Sequence, residues 1–409
     1  CCGLQNNILY FYRTIVISNN KIHGFRDSYG SELVGIYDWG NNTASTIRDN
    51  EIYDLVNLTG WSYSYGIWAK SISPSNIFKN KIYDLSGLGS DAKVFGLYYS
   101  SSATGVIHNI YNNYIGNLTA PAADSGNCIY GIYLESTATY NLCYNTVYIN
   151  ASSSGPIFGT TAVYAATSSH VTMQNNLLVN TSIPTGSGKV VAYRRDNAIL
   201  STYNTVSNNN YFYAGSPAPN RLIYYDGTLS AQTLFIFKAY VTPTDSASKT
   251  SASTPAFIST TGSDAQFLHL NGGVPSVLES GGMLIPGYND DYDGDVRAGS
   301  PGYPLQLNYG GTAPDIGADE FDGYPDMYTT IAENSDNIIS IFPNPVSDNL
   351  LLEMNKNFNA MGFRIFNSLG EIVFTGTITD KVVIPLMGFS KGLYVIGFDN
   401  GYTSKFIKI

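Results

Sequence analysis

The chain has 409 residues and a net charge of −10, a balance that argues against nucleic-acid binding through phosphates. Charged residues make up 13% and hydrophobic ones 44%, so the chain is sparsely charged yet too apolar to stay disordered. No apolar run approaches the ~20 residues that a membrane-spanning helix needs. The length implies two or three packed units. The abundance of Tyr (33) and Gly (40), with Asn, Ser and Thr crowded into the first half, favours strands and turns over helices.

The chain opens at Cys1-Cys2-Gly3 without an initiator Met and reads as a fragment or a processed form. Residues 1–18 are apolar and β-rich, and are expected to form a first, partial turn that either caps the repeats or marks where a longer helix was cut. From Asn20-Lys21-Ile22 onward one short pattern returns: Asn50-Glu51-Ile52, Asn80-Lys81-Ile82, Asn113-Tyr114-Ile115, Asn145-Thr146-Val147, Asn176-Leu177-Leu178 and Asn209-Asn210-Tyr211. A second marker shares the period: Gly35-Ile36-Tyr37, Gly66-Ile67-Trp68, Gly96-Leu97-Tyr98 and Gly131-Ile132-Tyr133, then Ala162-Val163-Tyr164, Val191-Ala192-Tyr193 and Leu222-Ile223-Tyr224. Two markers with one step of about 31 residues define a repeat architecture.

Each repeat holds short alternating segments separated by Gly, Ser, Asn and Pro, with no stretch of helical period. The fold expected is all-β: a right-handed parallel β-helix of about seven coils over residues 1–226, each coil stacked ~4.8 Å above the last. One coil cannot bury its apolar face alone, so stacking creates the core. Ile22, Ile52, Ile82, Ile115, Val147 and Leu178 should form one buried column, and Ile36, Ile67, Leu97, Ile132, Val163, Ala192 and Ile223 another. The Asn before each member of the first column can bond its counterpart in the next coil, and tolerates a left-handed corner.

The aromatic after each inward aliphatic should point outward by strand alternation. Tyr37, Trp68, Tyr98, Tyr133, Tyr164, Tyr193 and Tyr224 would then line the outside, either stacking on the sugar rings of a polysaccharide or packing on one another beneath loops. Arg194, Arg195, Asp226 and Glu135 are the mixed-charge group on the array. A polysaccharide lyase would want such a base and acids; the plainer reading is a salt bridge between coils. Asp54, Asp84, Asn117 and Asn150 suggest a turn-capping column. Cys128 and Cys143 permit a disulfide without demanding one. The four His are scattered, and no Gly-x-Ser-x-Gly or phosphate-binding motif is present.

Residues 227–330 break the period and form the expected closing region. Residues 290–326 hold nine carboxylates against Arg297 alone. Asp291, Asp293 and Asp295 alternate as calcium ligands would, although Gly294 is misplaced for an EF-hand loop. A capping turn with Arg297 paired to Asp315 or Glu320 uses the same residues structurally. Asp291-Tyr292-Asp293-Gly294-Asp295-Val296-Arg297, followed by Asp315-Ile316-Gly317-Ala318-Asp319-Glu320 and preceded by Leu268-His269-Leu270, resembles the C-terminal closure of exported bacterial β-helix proteins of the pectate-lyase-like class. That resemblance implies a fold and no particular activity. Asp245-Ser246-Ala247 resembles a Bacteroidetes-type O-glycosylation site.

Residues 331–409 form the last unit, neutral in charge and built of alternating strands, an expected Ig-like β-sandwich. Ile341-Phe342-Pro343-Asn344-Pro345-Val346, Phe363-Arg364-Ile365-Phe366-Asn367-Ser368-Leu369-Gly370, Lys391-Gly392-Leu393-Tyr394-Val395-Ile396 and the terminal Lys405-Phe406-Ile407-Lys408-Ile409 stand in order. They resemble the type A C-terminal sorting domain of the bacterial type IX secretion system. The resemblance implies handling by that machinery through residues 338–409, with the protein released or attached at the outer-membrane surface. The expected function is a structural or carbohydrate-binding, adhesin-like surface protein; the alternative is an extracellular polysaccharide lyase or glycoside hydrolase.

Overall fold

A computed structural model describes the chain except residues 1, 7–13, 40–43, 60–62, 102, 167, 309, 327–338, 355–359, 368–370 and 400–402. Part of the expected N-terminal cap and the Ser368-Leu369-Gly370 stretch lie outside the described residues. The chain divides into two compact units, Cys1–Asp326 and Met327–Ile409.

The first unit is a parallel β-solenoid of about seven turns. Each coil up to Asn180 contributes one strand to each of three sheets, and beyond it only the first and third sheets continue. The first sheet contains Leu33–Asp38, Tyr63–Ala69, Lys93–Ser100, Ser125–Glu135, Phe158–Ala165, Val190–Arg195 and Arg221–Tyr225. The second contains Ser45–Arg48, Ser75–Phe78, Ile107–Tyr111, Thr139–Cys143 and His170–Gln174. The third contains Glu51–Asn57, Lys81–Gly87, Tyr114–Gly116, Thr146–Ile149, Leu177–Asn180 and Tyr211–Tyr213. Cys2–Asn6, Ile15–Ser18 and Lys21–Asp27 add a lowest strand to each sheet.

The register explains the period. Ile22, Ile52, Ile82, Ile115, Val147 and Leu178 pair in sequence across the third sheet. Ile36, Ile67, Leu97, Ile132 and Val163 do so across the first. A third inward column, Ile17, Ile47, Ile77, Ile110, Leu142 and Met173, crosses the second sheet. All three columns meet in one apolar core.

The corner between the second and third sheets is held by the Asn ladder. The Nδ2 of Asn20, Asn50, Asn80, Asn113, Asn145 and Asn176 each donates to the Oδ1 of the ladder Asn one coil on, at 2.9–3.0 Å. Asn210 ends the series by donating to Asp245 Oδ1 at 3.0 Å. The left-handed backbone falls one residue earlier than expected, on Asn19, Asp49, Lys79, Asn112, Tyr144, Asn175 and Asn209. The ladder Asn therefore serves through its amide, not its φ. Asp54 and Asp84, inside third-sheet strands, and Asn117, just past Tyr114–Gly116, carry a second series of positive φ.

One column departs from expectation. Val163 pairs with Tyr193, and Tyr193 with Tyr224, so from this coil the inward position is aromatic. Ala192 takes the place of the preceding Gly, and Arg194 that of the outward aromatic. Both rings fill the core end beside Tyr203 and Phe237. Phe237 lies on the helix Leu234–Val241, whose Thr233 cap accepts from the Ile236 N–H.

After this helix the chain turns back as a strap, residues 255–326, along the outside of the third sheet. Phe267, Leu268, Leu278 and Ile316 pack there on Tyr83, Tyr114, Tyr148 and Tyr211 as a separate core. Arg297 pins the strap: fully buried, it reaches Glu320 at 3.2 Å, Asn112 Oδ1 at 2.9 Å and the Gly317 carbonyl at 3.1 Å.

In the second unit, Ile339–Phe342, Asn349–Met354 and Lys381–Pro385 form one antiparallel sheet. Met361–Phe366, Ile372–Ile378, Gly392–Phe398 and Thr403–Lys408 form a second, and the pair fits a β-sandwich over one apolar core.

Candidate functional site

The outward face of the first sheet carries the aromatic array. Strict alternation would put residues three apart on opposite faces. The glycines break it: a Cβ at Gly66 would lie 2.5 Å from both the Gly96 carbonyl oxygen and Ile82 Cγ2, so no side chain fits there. With Gly66 and Ile67 both turned inward, Tyr65 and Trp68 share the outer face. Each such coil thus contributes two columns: Val34, Tyr65, Phe95 and Tyr130 beside Tyr37, Trp68, Tyr98 and Tyr133, the latter continued by Tyr164. The inner column is missing from the sequence reading, although aromatic-Gly-aliphatic-aromatic is its written signal.

The rings pack closely. Tyr65, Phe95 and Tyr130 stack with centroids 4.8 Å apart. Tyr65 lies 4.7 Å from Trp68, and Tyr133 4.5 Å from Tyr164. Tyr65, Trp68, Phe95 and Tyr130 are buried by their neighbours, while Tyr37, Tyr98, Tyr133 and Tyr164 remain half-exposed. Charges rim the array: Lys70 Nζ sits 4.4 Å above the Trp68 ring, Lys93 Nζ 5.4 Å above Tyr63, and Arg194 4.9 Å above Tyr225. The Tyr98 hydroxyl donates to Glu135. Burial first, and then this carboxylate, push the Tyr98 phenol well above its ordinary value, so it stays a donor.

Tyr193, expected on this face, is wholly buried and points into the core. The expected charged group does not assemble either. Arg195 continues the inward column of Tyr99, Leu134 and Ala165 and is fully buried. Its guanidinium donates to Tyr193 Oη at 3.1 Å, the Ile199 carbonyl at 3.2 Å and Thr202 Oγ1. Asp226 is buried too, accepting from Tyr240 at 3.0 Å, Tyr224 at 3.2 Å and the Thr228 and Leu229 amides. Glu135 is exposed on the opposite side of the sheet. Arg195 turns inward for the same reason as Tyr193, a one-position shift across the pleat.

The alternating acids behave individually. Asp291 is buried, and its carboxylate accepts four backbone amides, those of Asp293, Gly294, Asp295 and Glu320, at 2.8–2.9 Å. Those bonds shape the turn and leave little for calcium. Asp295 is exposed. Asp293 alone turns toward another ligand-bearing residue, His269, at 2.6 Å. Cys128 and Cys143 are both buried free thiols. Asp245 is buried at the end of the Asn ladder.

Residues 340–409 match the family model described as the secretion system C-terminal sorting domain. Such a domain implies export by the type IX pathway and a place at the cell surface or beyond it. No curated protein and no solved structure matches the chain. Among the described residues no helix is long and apolar enough to cross a membrane.

Proposed function

We propose that the exported chain is a surface-acting binding protein whose first-sheet aromatic face contacts extended, uronate-bearing polysaccharide. One observation carries the reading: ring edges and hydroxyls run unbroken over five coils on one face, with cations at the rim. Sugar rings offer C–H faces to aromatics and hydroxyls to phenols, and uronates offer charge to Lys70, Lys93 and Arg194. A polymer laid along the solenoid axis would meet a ring every coil, at the strand spacing of ~4.8 Å. The lyase reading has no such support, because Arg195 is sealed inside the core.

Affinity electrophoresis of the full chain in gels containing acidic or neutral polysaccharides tests this. Retardation by an acidic polymer is expected, and it should be lost in a Tyr98→Ala, Tyr133→Ala double variant that still melts cooperatively. Retardation unchanged by that variant, or absent throughout, would remove this face as the binding surface.

A further inference from the structure

The strap carries a second cluster, independent of the aromatic face. His269, Asp293 and Asp319 stand far apart in sequence, yet one ligand atom from each lies within 4.8 Å of the others. His269 Nδ1 is 3.2 Å from the Phe267 carbonyl oxygen. A carbonyl only accepts, so Nδ1 carries the hydrogen and Nε2 is the nitrogen left to bind. This backbone bond is the outer-shell contact by which proteins orient an imidazole toward a metal. Nε2 faces Asp293 Oδ2 at 2.6 Å, an arrangement that needs a proton or a metal cation between the two atoms. Asp319 is buried, is fixed by the Leu270 N–H at 2.7 Å, and has no Lys or Arg at ion-pair distance among the described residues.

A separate observation points to a ligand at the same place. Tyr114 is completely buried, and its hydroxyl has no hydrogen-bond partner among the described residues. Its ring centroid is 5.1 Å from that of His269, and the carboxylates of Asp319, Asp291 and Asp293 are the charges that act on it. A buried phenol without a partner loses free energy, so its persistence calls for a partner at this spot.

We propose that His269 Nε2, Asp293 and Asp319 form a binding site for one divalent transition ion of the zinc class, stapling three points of the strap to one another over Tyr114 of the third sheet. The nitrogen ligand and the small oxygen count select such an ion over calcium, which takes six to eight oxygens. Two carboxylates neutralise its charge. Three protein ligands leave a fourth, water-filled position in tetrahedral zinc, and that water gives the Tyr114 hydroxyl its partner. The ion closes the strap at three points of its length.

The test uses the full chain with Cys1 and Cys2 changed to Ser, so that those thiols take up no metal. Chelator-treated protein is titrated with Zn²⁺, and separately with Ca²⁺, by calorimetry, and its unfolding is followed by circular dichroism. One equivalent of Zn²⁺ is expected, with a raised melting temperature and no response to Ca²⁺. His269→Gln and Asp293→Asn should each weaken uptake by about 100-fold, and Tyr114→Phe, which touches the metal only through water, by about tenfold. Co²⁺ should give visible bands that vanish in His269→Gln. If His269→Gln fails to fold, Asp293→Asn decides, since that side chain is 45% exposed and its loss leaves no cavity. Absence of Zn²⁺ uptake, uptake undiminished in Asp293→Asn, or a preference for Ca²⁺ would each overturn the site and leave a His–Asp ion pair.

Discussion

The first and third sheets both carry outward ladders of rings, and only one of them is covered. On the third sheet His23, Tyr53 and Tyr83 stack at 4.6 and 4.9 Å, and Tyr83, Tyr114, Tyr148 and Tyr211 lie under the strap. On the first sheet the rings shield one another, and among the described residues no other segment joins their cluster. The difference teaches that an outward aromatic column is not in itself a binding surface. Identical periodicity serves as the lower half of a second core where the chain returns, and as an exposed edge where it does not.

The sharpest way to break this comparison is to release the strap. Arg297 is its buried pin, and Arg297→Met leaves Glu320 with an uncompensated buried charge. A loss of about 3–5 kcal/mol is expected by chemical denaturation. Amide exchange should rise first at residues 315–321, while the first sheet keeps its protection. A uniform loss of protection over both sheets would mean that the strap and the solenoid are one cooperative unit.

Acid should distinguish core from strap. His108 is buried between sheets, its Nδ1 near Ser75 Oγ at 3.0 Å and Tyr99 Oη at 2.8 Å, with the Tyr140 ring beside it. Burial lowers its pKa to about 4. The unfolded chain, with an ordinary His, binds the proton first, so stability is lost as pH falls from about 6.5 toward 4. The effect approaches about 3 kcal/mol and should be absent in His108→Gln. The strap responds oppositely. Burial raises Glu279 to about 7, so its contribution is complete below the ordinary carboxylate range and is lost as pH rises through neutrality. Melting followed against pH in the wild type and in Glu279→Gln separates the two limbs.

Substitution on matched rings tests function. Tyr148→Ala, under the strap, should cost about 3 kcal/mol and leave polysaccharide retardation unchanged. Tyr133→Ala, half-exposed, should cost about 1–2 kcal/mol and weaken retardation. Equal effects on binding from the two would erase the distinction between the faces.

The coil period was legible because every coil repeats one steric demand, and the Asn ladder because an amide can donate and accept along a stack. The C-terminal sandwich was legible through its ordered strand motifs. Three things were not. Gly66 and its equivalents cancel the pleat locally, so Tyr65, Phe95 and Tyr130 escaped a reading based on alternation. The change from Val163 to Tyr193 moves the marker by one position, and a count of aromatics cannot see a shift that turns Arg195 inward. The strap's path depends on contacts between distant segments, so His269, Asp293 and Asp319 looked unrelated in the chain.

The smallest expected effect isolates the rim of the uncovered face. Lys70 Nζ lies 4.4 Å above Trp68 and 5.4 Å above Trp39. A cation over an aromatic at a surface contributes about 0.5–1 kcal/mol, so Lys70→Gln should lower stability by no more than that. Its effect on binding depends on the polymer. A uronate-bearing chain would lose a charge contact, and retardation should weaken at low salt and converge with the wild type as screening shortens the reach of the charge. A neutral polymer should be retarded equally by both proteins. If Lys70→Gln weakens neutral and acidic polymers alike, the lysine acts by holding the Trp68 ring in place, and the rings alone determine what the face binds.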